Sequence, residues 1–201
     1  MVGLPARGKS SVARRLHRYL SWLGYRTRIF NLGDYRRRVL GGGQGPDFFA
    51  PGNAAGVLQR NRMAELALDD VREWFDLPAG QEGHVAIYDA TNSTRERRAW
   101  LMGEVRRMGA TALFVESITD DPELIEGSIR EKQLHSPDFA GLPSDAAEAD
   151  FRERLAHYSS VYEPVDEDPL PYAKVIDAGR QVIANRVEGY LPTRAATILM
   201  N

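Results

Sequence analysis

The chain has 201 residues, of which 43% are hydrophobic and 27% charged, a balance typical of one globular domain that buries a core. Its 26 basic and 28 acidic residues give a formal net charge of −2, which argues against nucleic acid or an anionic membrane as a partner. It has no cysteine and no apolar run near the ~20 residues of a membrane span, which excludes a disulfide scaffold and a thiolate metal site and argues against a transmembrane helix.

The chain opens almost directly on a glycine-rich motif that fits the phosphate-binding pattern G-x-x-x-x-G-K-[ST]. Residues 3–10 read Gly3-Leu4-Pro5-Ala6-Arg7-Gly8-Lys9-Ser10. In such a loop the glycines turn backbone N–H groups toward phosphate oxygens, the lysine reaches the β- and γ-phosphates, and the hydroxyl holds Mg²⁺. The motif predicts ATP and Mg²⁺ as cofactors. Only Met1 and Val2 precede it, so the strand that positions such a loop is predicted to be truncated, with its neighbours' edges unpaired.

A helix, a strand and a loop are predicted next. Apolar residues recur at helical spacing after the phosphate loop, and Gly24 is predicted to end this helix. They are Val12, Leu16, Leu20 and Leu23. Residues 26–32 favour a short strand, and the glycine- and proline-rich segment 41–52 predicts a mobile loop.

A long helix is predicted over 54–75, with a break at 77–80 and a strand over 84–88 that ends at Asp89. The strand is nearly all apolar, which predicts burial on both faces of a parallel sheet. Proteins with a phosphate loop hold Mg²⁺ partly through a carboxylate at the end of such a strand, so Asp89 is a predicted metal ligand. A role as helix cap or turn residue is the alternative.

The remaining chain continues the alternation of helices and strands. A helix is predicted from the cap Thr94 to about Met108, a strand over 111–116, helices over 122–134 and 145–162, and a strand over 172–176. Residues 190–200 are mixed. This order predicts an α/β, P-loop NTPase-like three-layer fold, with a mostly parallel sheet, helices on both faces and one domain over 1–201.

Many arginines lie near predicted loops or helix ends. Arginine binds phosphate through a planar fork, so a site for a phosphorylated acceptor beside ATP would use several of them. For any single arginine a solvated helix face is the alternative. The candidates are Arg36, Arg37, Arg38, Arg60, Arg62, Arg95, Arg97, Arg98, Arg130, Arg152 and Arg154.

Three segments carry a resemblance to a known family. They are the phosphate loop at 3–10, Phe30-Asn31-Leu32-Gly33-Asp34-Tyr35-Arg36-Arg37, and Asp89-Ala90-Thr91-Asn92-Ser93-Thr94-Arg95-Glu96-Arg97-Arg98. Together they resemble the kinase domain of the 6-phosphofructo-2-kinase/fructose-2,6-bisphosphatase family. Short matches at 136–138, 162–164 and 185–187 extend the resemblance over nearly the whole chain. It implies transfer of the ATP γ-phosphate to the 2-hydroxyl of fructose 6-phosphate, which gives fructose 2,6-bisphosphate.

The resemblance also implies the roles of site residues by matching positions. Lys9 and Ser10 would bind nucleotide and magnesium, Asp89 would be the active-site carboxylate, and Arg130 joins residues 3–10 on the nucleotide. The acceptor positions are Arg36, Arg60, Thr91, Arg97, Arg154 and Tyr158. Animal members carry a lysine at the position of Gln133; here Lys132 precedes it, as in plant-type members. Lys132 is therefore predicted as the catalytic lysine.

The expected partner is fructose 6-phosphate, with neither nucleic acid nor membrane. No Arg-His-Gly motif for a phosphohistidine mechanism occurs, so the chain is expected to lack a phosphatase domain. The resemblance leaves open a homodimer and a C-terminal bisphosphatase domain in a longer parent chain, and the lack of cysteine favours the cytoplasm. Two alternatives stay open: a catalytically silent nucleotide-binding module, and a P-loop kinase for another small acceptor.

Overall fold

In a computed structural model, residues 1–78 and 83–200 are described, and they form seven α-helices and five strands. In chain order these are α1 (Lys9–Trp22), β1 (Arg26–Asn31), α2 (Leu32–Leu40), α3 (Ala54–Asp76), β2 (His84–Asp89), α4 (Arg95–Arg107), β3 (Phe114–Ile118), α5 (Pro122–His135), α6 (Ser144–Ser159), β4 (Tyr172–Ile176), β5 (Gln181–Asn185) and α7 (Tyr190–Leu199). Short 3₁₀ turns lie at Pro46–Phe49, Pro137–Phe139 and Asp177–Gly179.

The strands form two groups. β1 pairs in parallel with β2, in a register that places Asn31 opposite Asp89. β3 pairs in parallel with β4, and β5 adds an antiparallel edge to β4. The predicted α/β architecture with a mostly parallel sheet is therefore confirmed.

The first three residues join these two groups. Val2 N donates to Val115 O over 2.8 Å, and Ser117 N donates to Val2 O over 2.9 Å, so Val2 is bound to β3. On the other side, the Met1 amino group donates to Tyr88 O over 2.8 Å and Gly3 N to Thr91 O over 3.0 Å. The truncated strand is thus a short segment hydrogen-bonded on both sides. The expectation that the edges of its neighbours are unpaired is wrong at residues 1–3.

Two helical layers cover the strands. Val12, Leu16 and Leu20 of α1, with Leu199 of α7, pack against Ile87 and neighbouring strand residues. On the opposite face, α3 and α4 pack against the other side chains of the same strands, because successive strand residues point to opposite faces. The carboxyl ends of the parallel strands stay free of these layers, and the phosphate loop lies there.

Several predicted boundaries differ from the structure. Helix α3, helix α5 and strand β4 agree with the predictions, whereas β3 begins at Phe114 instead of 111, and α6 ends at Ser159 instead of 162. Strand β2 is packed on both faces, as predicted, although only Ile87 and Asp89 are fully buried. The predicted break at 77–80 falls partly on residues 79–82, outside the described residues. None of the helices that the structure describes is both long and apolar enough to cross a membrane.

No element was predicted for the segments that form α2 and β5, and residues 190–200, described from the sequence as mixed, form α7. The segment after β1 forms α2, which Asn31 caps by accepting a hydrogen bond from Asp34 N. Its short sequence, Leu-Gly-Asp-Tyr-Arg-Arg-Arg-Val-Leu, is rich in charge, and only Tyr35 and Arg36 are buried. Strand β5 has no buried residue, which removes the alternating pattern that identifies a strand.

Candidate active site

The candidate site lies at the carboxyl ends of β1, β2 and the Met1–Val2 segment. Open α/β sheets bind ligands at this edge, where several loops meet beyond the strands. Asn31 ends β1, Asp89 ends β2, and the phosphate loop follows Val2 directly. The parallel pairing therefore brings three segments that are distant in sequence to one place.

Backbone geometry explains the residues of the phosphate loop. Gly3 has φ +137°, and a Cβ there would lie 2.5 Å from Ser117 O, so only glycine fits against β3. Gly8 has φ +79° and precedes the first turn of α1, whose N-terminal N–H groups favour an anion. Ala6 is buried with Ile129 and Phe139, so the loop is packed against α5 and the 137–139 turn.

Lys9 is partly buried beside this loop. Its Nζ donates to Leu4 O over 2.6 Å. Burial lowers the pKa of Lys9 to about 7, against the opposing attraction of Asp89, and the positive charges of Lys132 and Arg7 lower it further. Lys132 is exposed on α5, and its charge acts on the phosphate loop. Its catalytic role stays a prediction.

The Asp89 carboxylate joins two other polar side chains. Its Oδ2 accepts from Ser10 Oγ over 2.8 Å and from Asn31 Nδ2 over 2.7 Å. Asp89 is 3% exposed, so these are contacts of a buried carboxylate. A hydroxyl and a carboxylate oxygen are hard ligands, and Mg²⁺ is typically held by one or two such groups together with substrate phosphates. Ser10 and Asp89 therefore fit Mg²⁺.

Two of the predicted acceptor arginines meet a buried carboxylate. Arg36 of α2 pairs with Asp138 through its Nη2, and Arg154 Nη1 of α6 lies 3.7 Å from Asp138 Oδ2. Arg37 Nη1 lies 3.4 Å from the same oxygen. Asp138 and the side chains of Arg36 and Arg154 are all less than 10% exposed. This cluster brings α2 and α6 together around Asp138, and Arg154 also pairs with Asp150 of α6 through its Nε.

Three further acceptor residues lie beside this cluster. Tyr158 is partly buried, and burial raises the pKa of its hydroxyl, against the opposing charges of Arg60, Arg36 and Arg154 and a side-chain hydrogen bond with Thr91. Arg60 donates to Phe48 O in the Pro46–Phe49 turn. The structure therefore brings together Arg36, Arg60, Thr91, Arg154 and Tyr158.

Arg97 and Arg130 are placed differently. The Arg97 guanidinium lies 4.3 Å from the centre of the Trp100 ring, and its Nη1 donates to Asn61 Oδ1 over 3.3 Å. Arg97 also interacts with Tyr88, and burial lowers the pKa of its guanidinium. It faces α3 rather than the arginines around Tyr158. Arg130 is exposed on α5. The roles of both stay predictions.

Three residues with contacts in the site were not assigned a role from the sequence. Asn31 holds Asp89, Asp138 pairs with the acceptor arginines, and the Phe49 ring lies against two of them. Asn31 and Asp138 stood inside motifs used only for the resemblance. For Phe49 the sequence does contain one signal: Phe48 and Phe49 are adjacent aromatic residues in a polar, glycine-rich loop, and a loop that is exposed to solvent does not need them.

Comparisons with known proteins give the family of the chain. A model of the family described as 6-phosphofructo-2-kinase matches residues 1–201. The 6-phosphofructo-2-kinase/fructose-2,6-bisphosphatase of Gallus gallus is 44% identical over 204 residues, covering 100% of this chain and 43% of that protein. The protein named 6-phosphofructo-2-kinase/fructose-2,6-bisphosphatase 4 of Homo sapiens is also 44% identical, with the same coverage. The chain thus spans 43% of the length of these relatives.

Among solved structures, the chain is similar to the APS kinase CysC of Mycobacterium tuberculosis, described in complex with AMPPNP and APS. The TM-score is 0.53 at 17% sequence identity, with 98% of this chain and 92% of that chain covered. At this identity the likeness concerns the fold alone. The predicted P-loop kinase fold is confirmed.

Proposed function

The chain belongs to the 6-phosphofructo-2-kinase family, and from that premise we propose that it transfers the γ-phosphate of ATP to the 2-hydroxyl of fructose 6-phosphate. The names of its relatives include both a kinase and a bisphosphatase. Residues 1–201 contain no Arg-His-Gly motif, so the proposal assigns only the kinase reaction to them.

The observation that carries the proposal is the buried Arg36. Its side chain is 8% exposed, and its Nη1 has no hydrogen-bond partner among the described residues. A buried guanidinium N–H without a partner is costly, and a phosphate oxygen is the acceptor that its planar fork fits. Arg60 and Arg154 lie close by, so the charge suits the 6-phosphate of a sugar. Tyr158 and Thr91 supply hydroxyls for the sugar itself.

The nucleotide would lie on the other side of Asp89. Residues 3–8 would surround the phosphates with backbone N–H groups, with Lys9 and Lys132 as their cations and Arg130 as a further contact. Ser10 and Asp89 would hold Mg²⁺, which supplies neutralisation of the charge on the transferred phosphoryl group. Thr91 follows Asp89 by two residues, so the acceptor groups and the nucleotide groups are adjacent in space.

The proposed transfer depends on positioning and charge neutralisation. A bond forms between the 2-oxygen of the sugar and the γ-phosphorus, while the bond to the bridging β,γ-oxygen breaks and its electron pair leaves with ADP. The hydroxyl proton passes to solvent or to a neighbouring oxygen. Arg36, Arg60 and Arg154 hold the sugar by its phosphate, and Lys9 stabilises the charge on the transferred group.

The test is a coupled assay of ADP release with Mg-ATP, with and without fructose 6-phosphate. The product is then treated with mild acid, because a phosphate on the anomeric carbon hydrolyses there, whereas a primary phosphate ester survives. Acceptor-dependent ADP and an acid-labile product are expected. Nucleotide binding without turnover on any sugar phosphate would favour the silent module, and turnover on a different small acceptor would overturn the choice of substrate.

A further inference from the structure

The Phe49 ring contacts side chains from two helices that are far apart in sequence. Its centre lies 5.3 Å from Cζ of Arg36 on α2 and 4.6 Å from Cζ of Arg154 on α6. The ring of Tyr158 lies 6.0 Å away, centre to centre. Phe49 itself is 8% exposed, so these contacts are shielded from solvent. One aromatic ring therefore borders three of the predicted acceptor side chains.

A guanidinium group is weakly hydrated and stacks readily on aromatic faces. The attraction between a cation and a ring is strongest where water is excluded, as it is around Phe49. Contact with a ring also leaves the N–H groups at the rim of the guanidinium available to other partners. In Arg36 one such group, Nη1, has no partner within the described part of the chain.

The turn that carries Phe49 is hydrogen-bonded by Arg60 and Arg154, two of the predicted acceptor arginines. Arg60 donates to Phe48 O, and its Cζ lies 5.8 Å from the centre of the Phe48 ring. Arg154 Nη2 donates to Gln44 O over 2.6 Å, just before the turn. Two acceptor arginines thus bind the backbone at Gln44 and Phe48, and Phe49, directly after the second of these positions, contacts Arg36 and Arg154.

We propose that Phe49 is a positioning residue for the acceptor's phosphate: its ring fixes the guanidinium planes of Arg36 and Arg154 so that both cations face one anion. Arg36 offers it the Nη1 that has no partner among the described residues, and Arg154, which also pairs with Asp138 and Asp150, adds its charge. The inference rests on the proposed function for the identity of that anion. Guanidinium groups that are already fixed before the phosphate binds lose less conformational freedom on binding. The Phe49 ring therefore contributes to the affinity for the acceptor without touching the reacting atoms. It acts on KM for the acceptor rather than on kcat.

The main variant is Phe49→Leu, which keeps an apolar side chain and removes the aromatic face. Its matched control is Phe151→Leu, which removes a buried ring on α6 that packs on Phe139, 6.2 Å away between centres. Phe49→Leu is expected to raise KM for fructose 6-phosphate about tenfold and to leave KM for ATP within about twofold of wild type. Phe151→Leu is expected to lower the melting temperature without changing either KM. Phe49→Tyr, which keeps the ring, is expected to restore the wild-type KM.

A second measurement separates this inference from the proposed function. Inorganic phosphate is titrated by calorimetry while a non-hydrolysable ATP analogue blocks the phosphate loop, so no turnover is needed. Binding to wild type that weakens about tenfold in Phe49→Leu alone supports the inference, even if fructose 6-phosphate gives no product. Wild-type phosphate affinity in a folded Phe49→Leu, or no phosphate binding to wild type, overturns it, even if the kinase assay succeeds. If Phe49→Leu does not fold, Phe49→Met provides the same comparison.

Discussion

Replacing Asn31 with alanine tests whether this side chain orients the Asp89 carboxylate. Its amide donates to Asp89 Oδ2 over 2.7 Å, and its Oδ1 accepts from Asp34 N over 3.2 Å as the N-cap of α2. Losing an N-cap costs about 1 kcal/mol of folding stability. A hydrogen bond to a charged group contributes about 1.5–3 kcal/mol. We therefore expect a small loss of stability and a loss of transfer rate of roughly 10- to 100-fold.

The control is Asn53→Ala, which removes an equivalent cap. Asn53 Oδ1 accepts from Gly56 N over 2.9 Å at the start of α3, but its amide donates to the backbone oxygen of Asp47. Both variants are compared by urea unfolding and by ADP release at saturating fructose 6-phosphate over a range of Mg²⁺ concentrations. Only Asn31→Ala should need more Mg²⁺ for half-maximal rate.

The reasoning about Asn31 is refuted by one specific pattern. If Asn31→Ala loses as much stability as Asn53→Ala while its rate and Mg²⁺ dependence stay at wild-type values, Asn31 is a helix cap and does not orient Asp89.

Four other results are expected. Lys9→Met should abolish transfer while circular dichroism shows an unchanged fold; full turnover in this variant would mean that the phosphate loop is assigned wrongly. Because burial lowers the pKa of Lys9 to about 7, the free side chain is mostly neutral above pH 7 and must take up a proton to bind polyphosphate. Nucleotide affinity should therefore fall by up to about tenfold per pH unit above pH 7, and calorimetry in two buffers should show proton uptake. Constant affinity from pH 7 to 9 would contradict this. Asp138→Asn leaves Arg36 without its counter-charge, whereas Arg154 keeps Asp150, at a cost of about 3 kcal/mol. Phosphate should therefore raise the melting temperature of this variant more than that of wild type, and an equal rise would argue against the cluster as the phosphate site. Arg98→Met removes a fully buried guanidinium that donates to Glu167 and to three backbone carbonyls. Urea unfolding should show that the free energy of unfolding falls by about 3–5 kcal/mol, whereas a fall of under about 1 kcal/mol would mean that these bonds contribute little.

Local sequence patterns predicted the phosphate loop and Asp89, whereas the nucleotide roles of Arg130 and Lys132 came only from the family resemblance and stay predictions. The phosphate loop is contiguous, so its spacing alone predicts a backbone path around phosphates, and the structure has the required glycine geometry. Asp89 could be predicted because an apolar strand that ends in a carboxylate is itself a local pattern. Its contact with Ser10 follows once the strands are placed side by side.

The residues that would bind the acceptor could not be predicted from local sequence patterns. Its arginines come from α2, α3 and α6, and no spacing rule connects them, so their grouping was predicted only from the family resemblance. Asn31, Asp138 and Phe49 have roles that exist only in the folded chain. Asn31 reaches Asp89 because β1 and β2 pair in one particular register, and a single sequence does not reveal that register.

The hydrogen bonds of the first three residues also have a consequence for the order of folding. The phosphate loop is synthesised before β2 and β3, yet the segment that holds it is bonded to residues 88, 91, 115 and 117. A ribosome adds about 5–20 residues per second, so the loop waits on the order of ten seconds for its partners. Until then nucleotide has no formed loop to bind, and it cannot protect the nascent chain. Completion of β3 is therefore the step at which ATP can begin to stabilise the newly made protein.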